Sequence, residues 1–499
     1  MNDTLAQSVG DEPGTVPPPA ATGPVGVAEV PPAVSGPVPL RRLSIGLALV
    51  YVSILAINSG GPGILIPNLV ADIDASRKVA NLAIVTTVAF VANVFAQPIA
   101  GALSDATRSR FGRRSPWMVA GALLAAGFLV GLPLAGSVVT IAVVWLVVQL
   151  GVNALQAAAT ALVPDRYPPS KRGGVSGLIG VGITVGNAVG AVVAGSLAGQ
   201  GMLPYLLLAG LVLVVVAGFV LLNPDRSSLN DVGAARPSVG AFFRGFWVNP
   251  RQHPDFAWAF AARFLMVIGF YGAQTFGLYI LRDYIGLSDD ASNAFAAKIG
   301  LVLLVGVLLS ALASGVLSDR LGRRKPFIVW SSVVMALGLA VPLIFPTTTG
   351  VLVYSFLLGL GFGAYISIDL ALMTEVLPAS MTAGASGPLR KVVEGPASSR
   401  WMPRKADEGG IPGRISTEEN AARGRLGGAG PDELPQGTTN SAGRDLAILG
   451  LATTLPQALS PSIAAGLVSL TGGYPVLFVA GIVFVLLGAL AVAPIKSVR

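Results

Sequence analysis

Twelve apolar stretches, each near the roughly 20 residues needed to cross the hydrocarbon of a bilayer, leave this chain few ways to fold. They run over 43–66, 79–103, 117–136, 138–163, 175–199, 203–222, 257–281, 294–317, 327–345, 351–374, 446–470 and 474–494. Inside hydrocarbon a backbone must satisfy its own hydrogen bonds, and stretches of this length and continuity do so as α-helices. Only 12% of the 499 residues are charged and 53% are hydrophobic. Soluble domains carry about 25% charged residues, so an ordinary soluble enzyme is excluded. With no Cys and one His, His253, the chain holds no thiolate site and no imidazole cluster for a metal. No Lys follows a Gly, so a Gly-Lys-Ser/Thr phosphate loop is absent as well. Neither an enzyme nor an ATP-driven pump is expected, and no cofactor is.

The net charge of +8 is carried mostly by short loops on one side of the spans. Of the 33 Lys and Arg, only Arg77, Lys78 and Arg282 fall in loops of the opposite side. That asymmetry predicts both termini in the cytoplasm of a multi-pass cell-membrane protein, and it speaks against nucleic acid as the partner of the basic residues. Residues 1–40 are rich in Pro, Gly and Ala and read as a disordered tail.

The second half of the chain repeats the first. Gly101-Ala-Leu-Ser-Asp105 recurs as Gly315-Val-Leu-Ser-Asp319, and Gly112-Arg113-Arg114-Ser-Pro116 as Gly322-Arg323-Arg324-Lys-Pro326. The first copy has four extra residues between the Asp and the Gly. Asp165 aligns with Glu375 at an offset of 210, and Asn187 with Gln457 at 270. The difference places an insert of about 60 residues in the second half, within 383–443, whose Gly-, Pro- and charge-rich composition cannot build a core. The expected organisation is a tail (1–40), a first six-helix bundle (41–222), a linker (223–256), helices seven to ten (257–382), the insert, and helices eleven and twelve (444–499).

Two six-span halves in parallel register, each with Gly-x-Leu-Ser-Asp…Gly-Arg-Arg between its second and third spans, resemble the major facilitator superfamily. The resemblance covers roughly 43–382 and 444–494. It implies an all-α membrane protein of twelve transmembrane helices in two pseudo-symmetric six-helix bundles, a secondary transporter with a central site between them. The first loop, Ser104 to Trp117, also resembles that of the glycoside–cation and sucrose–proton symporter groups. It departs from them at Ala106, where Arg is usual, and at Ser115, where a third basic residue is usual. In the family such loops latch the inner gate. Carried onto this chain, Asp105, Arg113 and Asp165, with Arg114 beside them, form one cluster. Asp319, Arg323 and Glu375, with Arg324, form its counterpart. Gly101 is expected to let span 11 approach closely. Arg108, Arg110 and Lys325 are expected only to set topology.

Polar side chains inside spans are costly and are functional candidates by default. Gln149, Asn153 and Gln156 share one face of span 4, and Asn93 and Gln97 one face of span 2. Asn58 precedes Ser59-Gly-Gly-Pro62, an expected bend in span 1. Gln274, Tyr365 and Gln457 add donors and acceptors from spans 7, 10 and 11, and Asn187 one from span 5. Amides with aromatics suit a hydroxyl-rich neutral solute. The competing reading is simple interhelical bonding. Asp369 is the one carboxylate well inside a span, with neutral Ala159 as its repeat partner. It is expected to carry the coupling proton. The alternative is a charge pair with Arg263, which is expected instead to snorkel to the interface, as is Lys298. The span-5 glycines Gly182, Gly186, Gly190 and Gly195 loosely resemble the glycine motif of drug–proton antiporters, or serve to pack against span 8. The expected function is proton-coupled symport of a small polar solute, a sugar or glycoside, by a monomer in the lipid bilayer. The alternatives are a proton-driven drug or metabolite exporter and a sensor signalling through the insert.

Overall fold

The computed structural model describes residues 40–229, 254–321, 325–376 and 440–495, with side chains for most of them and not for 169, 312, 315–321, 370–376 and 440–451. The expected tail 1–40 and insert 383–443 lie almost wholly outside the described residues, as do Arg323 and Arg324. Helices follow the expected spans: α1 (Leu40–Ile73), α2 (Lys78–Ala106), α3 (Ser115–Gly131), α4 (Val138–Arg166), α5 (Pro169–Leu197) and α6 (Leu203–Leu222). The second half supplies α7 (Pro254–Thr275), α8 (Asp289–Leu321), α9 (Lys325–Ile344), α10 (Thr348–Val376), α11 (Asn440–Thr471) and α12 (Pro475–Val492). Eleven helices among the described residues are long and apolar enough to cross a membrane; α11, whose first turns lack described side chains, is not among them. Several helices outrun their apolar stretch by a turn, because helical hydrogen bonding continues into the interfacial layer.

Helix ends are written locally. Pro116 and Pro326 open α3 and α9, and Pro204 and Pro475 open α6 and α12, at the first turn where a missing N–H is harmless. Ser137 caps α4 by accepting from Thr140 N at 3.2 Å. The expected bend in α1 is a π-helical turn over Gly61–Leu65. A Cβ at Gly61 would stand 2.4 Å from the Trp145 ring, so the glycine is what lets α1 cross α4 there. Span 7, expected as one run over 257–281, instead breaks at Phe276. It resumes as a short turn, Gly277–Tyr279, and a π-helical turn, Ile280–Tyr284.

The packing repeats as the sequence does. In the first half α1 packs on α5 and α6, α4 on α2 and α3, and α3 on α6. In the second, α7 packs on α11 and α12, α10 on α8 and α9, and α9 on α12. The halves meet through α2 against α11 and α5 against α8, two contacts that exchange under a two-fold axis. The glycines of α5 face α1 and not, as expected, α8: a Cβ on Gly182, Gly186 or Gly190 would strike the backbone of Ala48, Val52 or Ala56. Only Gly195 meets α8, at Asn293. Such small-residue stripes bring helices close where no hydrophobic effect drives them together. A Cβ on Gly101 meets no described atom within 4 Å, and the start of α11, which it is expected to approach, lies among the residues without described side chains. Large apolar side chains such as Val214, Leu221, Trp330, Leu337 and Leu490 are exposed around the bundle, as a lipid-facing surface requires.

Candidate functional site

Loops 107–114, 167–168 and 223–229 share one face with the start of α1, here the basic face; loops 74–77, 285–288 and 472–474 share the other, the far face. Between them, the first half contributes an amide group. Asn153 Nδ2 donates to Asn93 Oδ1 at 2.7 Å and to the Gln149 carbonyl at 2.7 Å. The first of these bonds joins α2 to α4, so Asn93 and Asn153 do serve interhelical bonding. Gln149 and Asn58 differ. Gln149 Oε1 and Asn58 Oδ1 are both buried and accept no hydrogen bond. The two lie at one depth, because α1 and α4 are antiparallel and touch on either side of them. Tyr51 meets Thr160 at 2.7 Å, and Gly61 meets Trp145. Gln97 and Gln156 are half-buried, about one turn closer to the basic face than Asn93 and Asn153.

The second half answers with rings. Phe270 and Phe362 stack with centroids 3.7 Å apart, and Tyr271 meets Phe362 edge-on at 6.4 Å. The Tyr271 hydroxyl lies beside the Gln457 side chain, where α7 packs on α11. Gln274 is half-buried in the last turn of α7, and Asn187 is half-buried on α5.

Tyr365 continues this cluster and donates to Asp369 Oδ1 at 2.9 Å. Asp369 Oδ2 lies 2.9 Å from Arg263 Nη1, and Arg263 Nη2 donates to Thr453 at 2.6 Å. Arg263 therefore does not snorkel: its side chain is 10% exposed and is committed to α10 and α11. Desolvation explains the choice, since a buried carboxylate holds an available cation more strongly than the interface does. Lys298 is exposed, as expected.

At the basic face the expected cluster forms with a different centre. Arg114, not Arg113, is the hub: its guanidinium meets Asp105 at 2.5 Å, Asp165 at 3.0 Å and Ser104 at 3.1 Å. Arg113 reaches only Asp165, at 3.4 Å, and is more exposed. Sequence reasoning missed Asp225, which follows α6. Its carboxylate accepts from Arg114 N at 3.2 Å and from Arg166 at 2.6 Å. It lies directly over Gly112, whose φ of +88° and lack of a Cβ make the approach possible. Ser228 and Ser109 exchange hydrogen bonds beside it, fastening the four-residue extension of the loop. The one signal available was the polar Asn223-Pro-Asp-Arg226 run closing an apolar span. In the second copy, Asp319 and Glu375 lie on α8 and α10 with side chains outside the described set.

The far face holds a cluster that the sequence reading did not anticipate. Lys78 pairs with Asp283 at 2.8 Å and sits over the Tyr279 ring at 5.1 Å. Tyr279 donates to the Pro67 carbonyl at 2.9 Å. Arg282 donates to Asn68, which itself donates to Asn293 at 3.0 Å. Tyr474 donates to Asp283 at 2.6 Å. Burial and that neighbouring carboxylate push the Tyr474 hydroxyl well above its ordinary range, so it remains a donor at physiological pH. These contacts join Pro67, Asn68 and Lys78 of the first half to the second half, so the far face is closed between them.

The family model of the Major Facilitator Superfamily matches residues 47–389. The chain belongs to that superfamily and is an integral membrane protein. Two curated relatives are similar in sequence. A cis,cis-muconate transport protein of Acinetobacter baylyi is 24% identical over 52% of this chain and 62% of its own length. The MFS transporter asaE of Aspergillus flavus is 32% identical over 23% of this chain and 27% of its own. The matches thus span less than two thirds of either relative. Among solved structures, the D-xylose–proton symporter superposes with a TM-score of 0.57 at 14% identity, covering 91% of this chain and 97% of that one. The nucleoside transporter NupG does so with a TM-score of 0.62 at 13% identity, covering 91% and 99%. At such identities these likenesses establish the fold.

Proposed function

We propose that this chain is a proton-coupled secondary transporter that moves a small, hydroxyl-rich polar solute of the sugar or glycoside type by alternating access. The observation that carries this reading is the pair of buried amide oxygens on Asn58 and Gln149 that accept no hydrogen bond. A buried acceptor left open costs about 1–3 kcal/mol, and a hydroxyl donor from a solute removes that cost. In this reading Asn93, Gln97, Asn153 and Gln156 extend the polar wall, and Gln274, Tyr365 and Gln457 are the polar contribution of the second half. Sugar rings place apolar C–H faces on aromatic rings, which the Phe270–Phe362 stack supplies. The solutes named for the structural neighbours, xylose with a proton and nucleosides, support this class.

In this reading Asp369 carries the proton, and the Asp105, Arg113, Arg114 and Asp165 cluster, with Asp319, Arg323, Arg324 and Glu375 as its counterpart, organises the cytoplasmic gate. The basic face is cytoplasmic, the protein is a cell-membrane monomer, and the conformation with a closed far face opens inward. The insert is a cytoplasmic accessory. The aromatic cluster favours a second reading, a proton-driven exporter of drugs or metabolites.

Uptake by proteoliposomes over a panel of sugars, with and without an inward proton gradient, tests the proposal. Accumulation that collapses with the gradient is expected, together with its loss in Asp369→Asn. Normal accumulation by that variant removes Asp369 from coupling. Proton-driven extrusion of apolar dyes with no sugar uptake selects the second reading.

A further inference from the structure

The Arg263–Asp369 pair is built unlike a structural salt bridge. Both groups are buried, and the Nη1–Oδ2 separation is 2.9 Å, yet neither atom makes an aligned hydrogen bond. Arg263 presents five N–H donors in a fork suited to two carboxylate oxygens. Here Nη2 goes to Thr453, while Asp369 gives its other oxygen to Tyr365. The carboxylate thus holds the guanidinium with one oxygen, off line. Among the described residues, the groups facing Asp369 are Arg263 from α7 and Tyr365 from its own helix. Thr453 of α11 faces the guanidinium. Among the described residues no second carboxylate pairs with Arg263, so a proton on Asp369 leaves Arg263 as an uncompensated buried charge, a costly state that must find another anion.

We propose that Arg263 is the anchor for a carboxylate carried by the solute, and that Asp369 holds the guanidinium only while the site is empty. This rests on the proton-coupled transport reading above and narrows its hydroxyl-rich solute from a neutral sugar to a sugar acid. A proton from the aqueous phase adds to the Asp369 carboxylate and its ion pair breaks. The solute carboxylate then takes the guanidinium with both oxygens. On release the proton leaves, and Asp369 returns to Arg263. No covalent bond other than O–H forms or breaks.

Charge selects the ligand class. The empty site holds one cation and one carboxylate; the loaded site holds one cation, one neutral acid and the solute. A monoanionic solute makes both states neutral, so no unbalanced charge resides in low dielectric at any stage. A neutral sugar leaves the loaded site at +1, and a phosphate ester dianion leaves it at −1. Position adds the rest of the molecule. Ala159, the repeat partner of Asp369, lies ten residues past Gln149 on α4, nearly three turns closer to the basic face. The carboxylate subsite is therefore offset from the open amides toward the basic face, and the solute proposed for both is a hydroxylated monocarboxylate. One proton moves with one carboxylate, so the net movement is electroneutral.

The full chain in proteoliposomes is to be assayed with matched acid and sugar probes, gluconate against glucose and galactonate against galactose. Accumulation of the acids is expected under an inward proton gradient, with no response to a potassium diffusion potential. Arg263→Gln should lower acid uptake at least about thirtyfold, and Arg263→Lys, which keeps the charge, should lower it less. Asp369→Asn, a neutral stand-in for the protonated acid, should still exchange labelled for unlabelled gluconate while failing to accumulate it. Size-exclusion profiles and thermal unfolding separate these effects from misfolding. Proton-driven uptake of the sugars with none of the acids overturns this inference and leaves the underlying reading standing. Acid uptake driven by the diffusion potential, or accumulation by Asp369→Asn equal to wild type, also overturns it. If neither acids nor sugars move under any gradient, both fall.

Discussion

The basic face and the far face each carry a cluster of charges, but the two clusters join different things. Arg114 gathers Asp105 from the end of α2 and Asp165 from the end of α4, all within the first half. Lys78–Asp283 and Arg282–Asn68 run between the halves. A cluster inside one half can keep its contacts while the halves rock against each other. A cluster between halves has to come apart for its face to open. In the transport cycle proposed above, the first is the rigid, first-half part of the cytoplasmic gate, fixing loop 107–114 over Asp225, and the second is the latch that the cycle breaks and remakes.

The comparison can be broken most sharply at the latch. The chain has no Cys, so Lys78→Cys with Asp283→Cys makes a unique pair. Bridging it with a short bifunctional thiol reagent should abolish nearly all transport, and reduction should restore it. Transport that persists across the bridge would show that the far face need not open. Next in size is the socket's centre. Arg114→Gln leaves two carboxylates without their buried cation and should cost about 3 kcal/mol, read as a lowered melting temperature; an unchanged melting temperature would remove Arg114 from the centre. Gly112→Ala forces a left-handed backbone on a residue with a Cβ and drives that Cβ into Asp225. A loss of about 1–2 kcal/mol is expected, part of it recovered by adding Asp225→Ala. No recovery would mean the backbone strain alone matters. The smallest effect belongs to Arg113, which is 38% exposed and 3.4 Å from Asp165. Arg113→Gln should change stability by less than about 1 kcal/mol, and a loss matching that of Arg114→Gln would return the hub to Arg113.

Much of this arrangement could be read before any coordinates. The spans, the two-fold repeat and the basic face follow from local composition and periodicity, and among the described residues helices reappear at the expected places, eleven of them long and apolar enough to cross a membrane, with packing partners that repeat at corresponding positions. Asp105, Arg113, Arg114 and Asp165 were legible because a repeated motif marks them. Which arginine is the hub was not, since adjacent residues differ only in where the backbone turns them, and that turn depends on Gly112 meeting Asp225. Arg263 shows the same limit. Its cost inside a span is written in its chemistry, but whether it escapes to the interface or pairs depends on Asp369, over a hundred residues away. The far-face latch left one trace: Lys78 and Arg282 lie on the side where the charge asymmetry expects few cations. Exceptions to that rule can be held by tertiary partners, as Asp283, Asn68 and Asn293 hold these two.

By itself the sequence determined that this chain is a bundle of membrane helices in two related halves with one basic face, because hydrophobic length and repeat are local properties that lipid reads directly. Only the tertiary structure decided which polar groups meet. Hydrogen bonds and ion pairs act over about 3 Å, a scale set by helix rotation and register that no spacing along the chain specifies. Asn58 and Gln149 are open, Asn153 is spent on Asn93, and Arg263 waits on Asp369 for that reason.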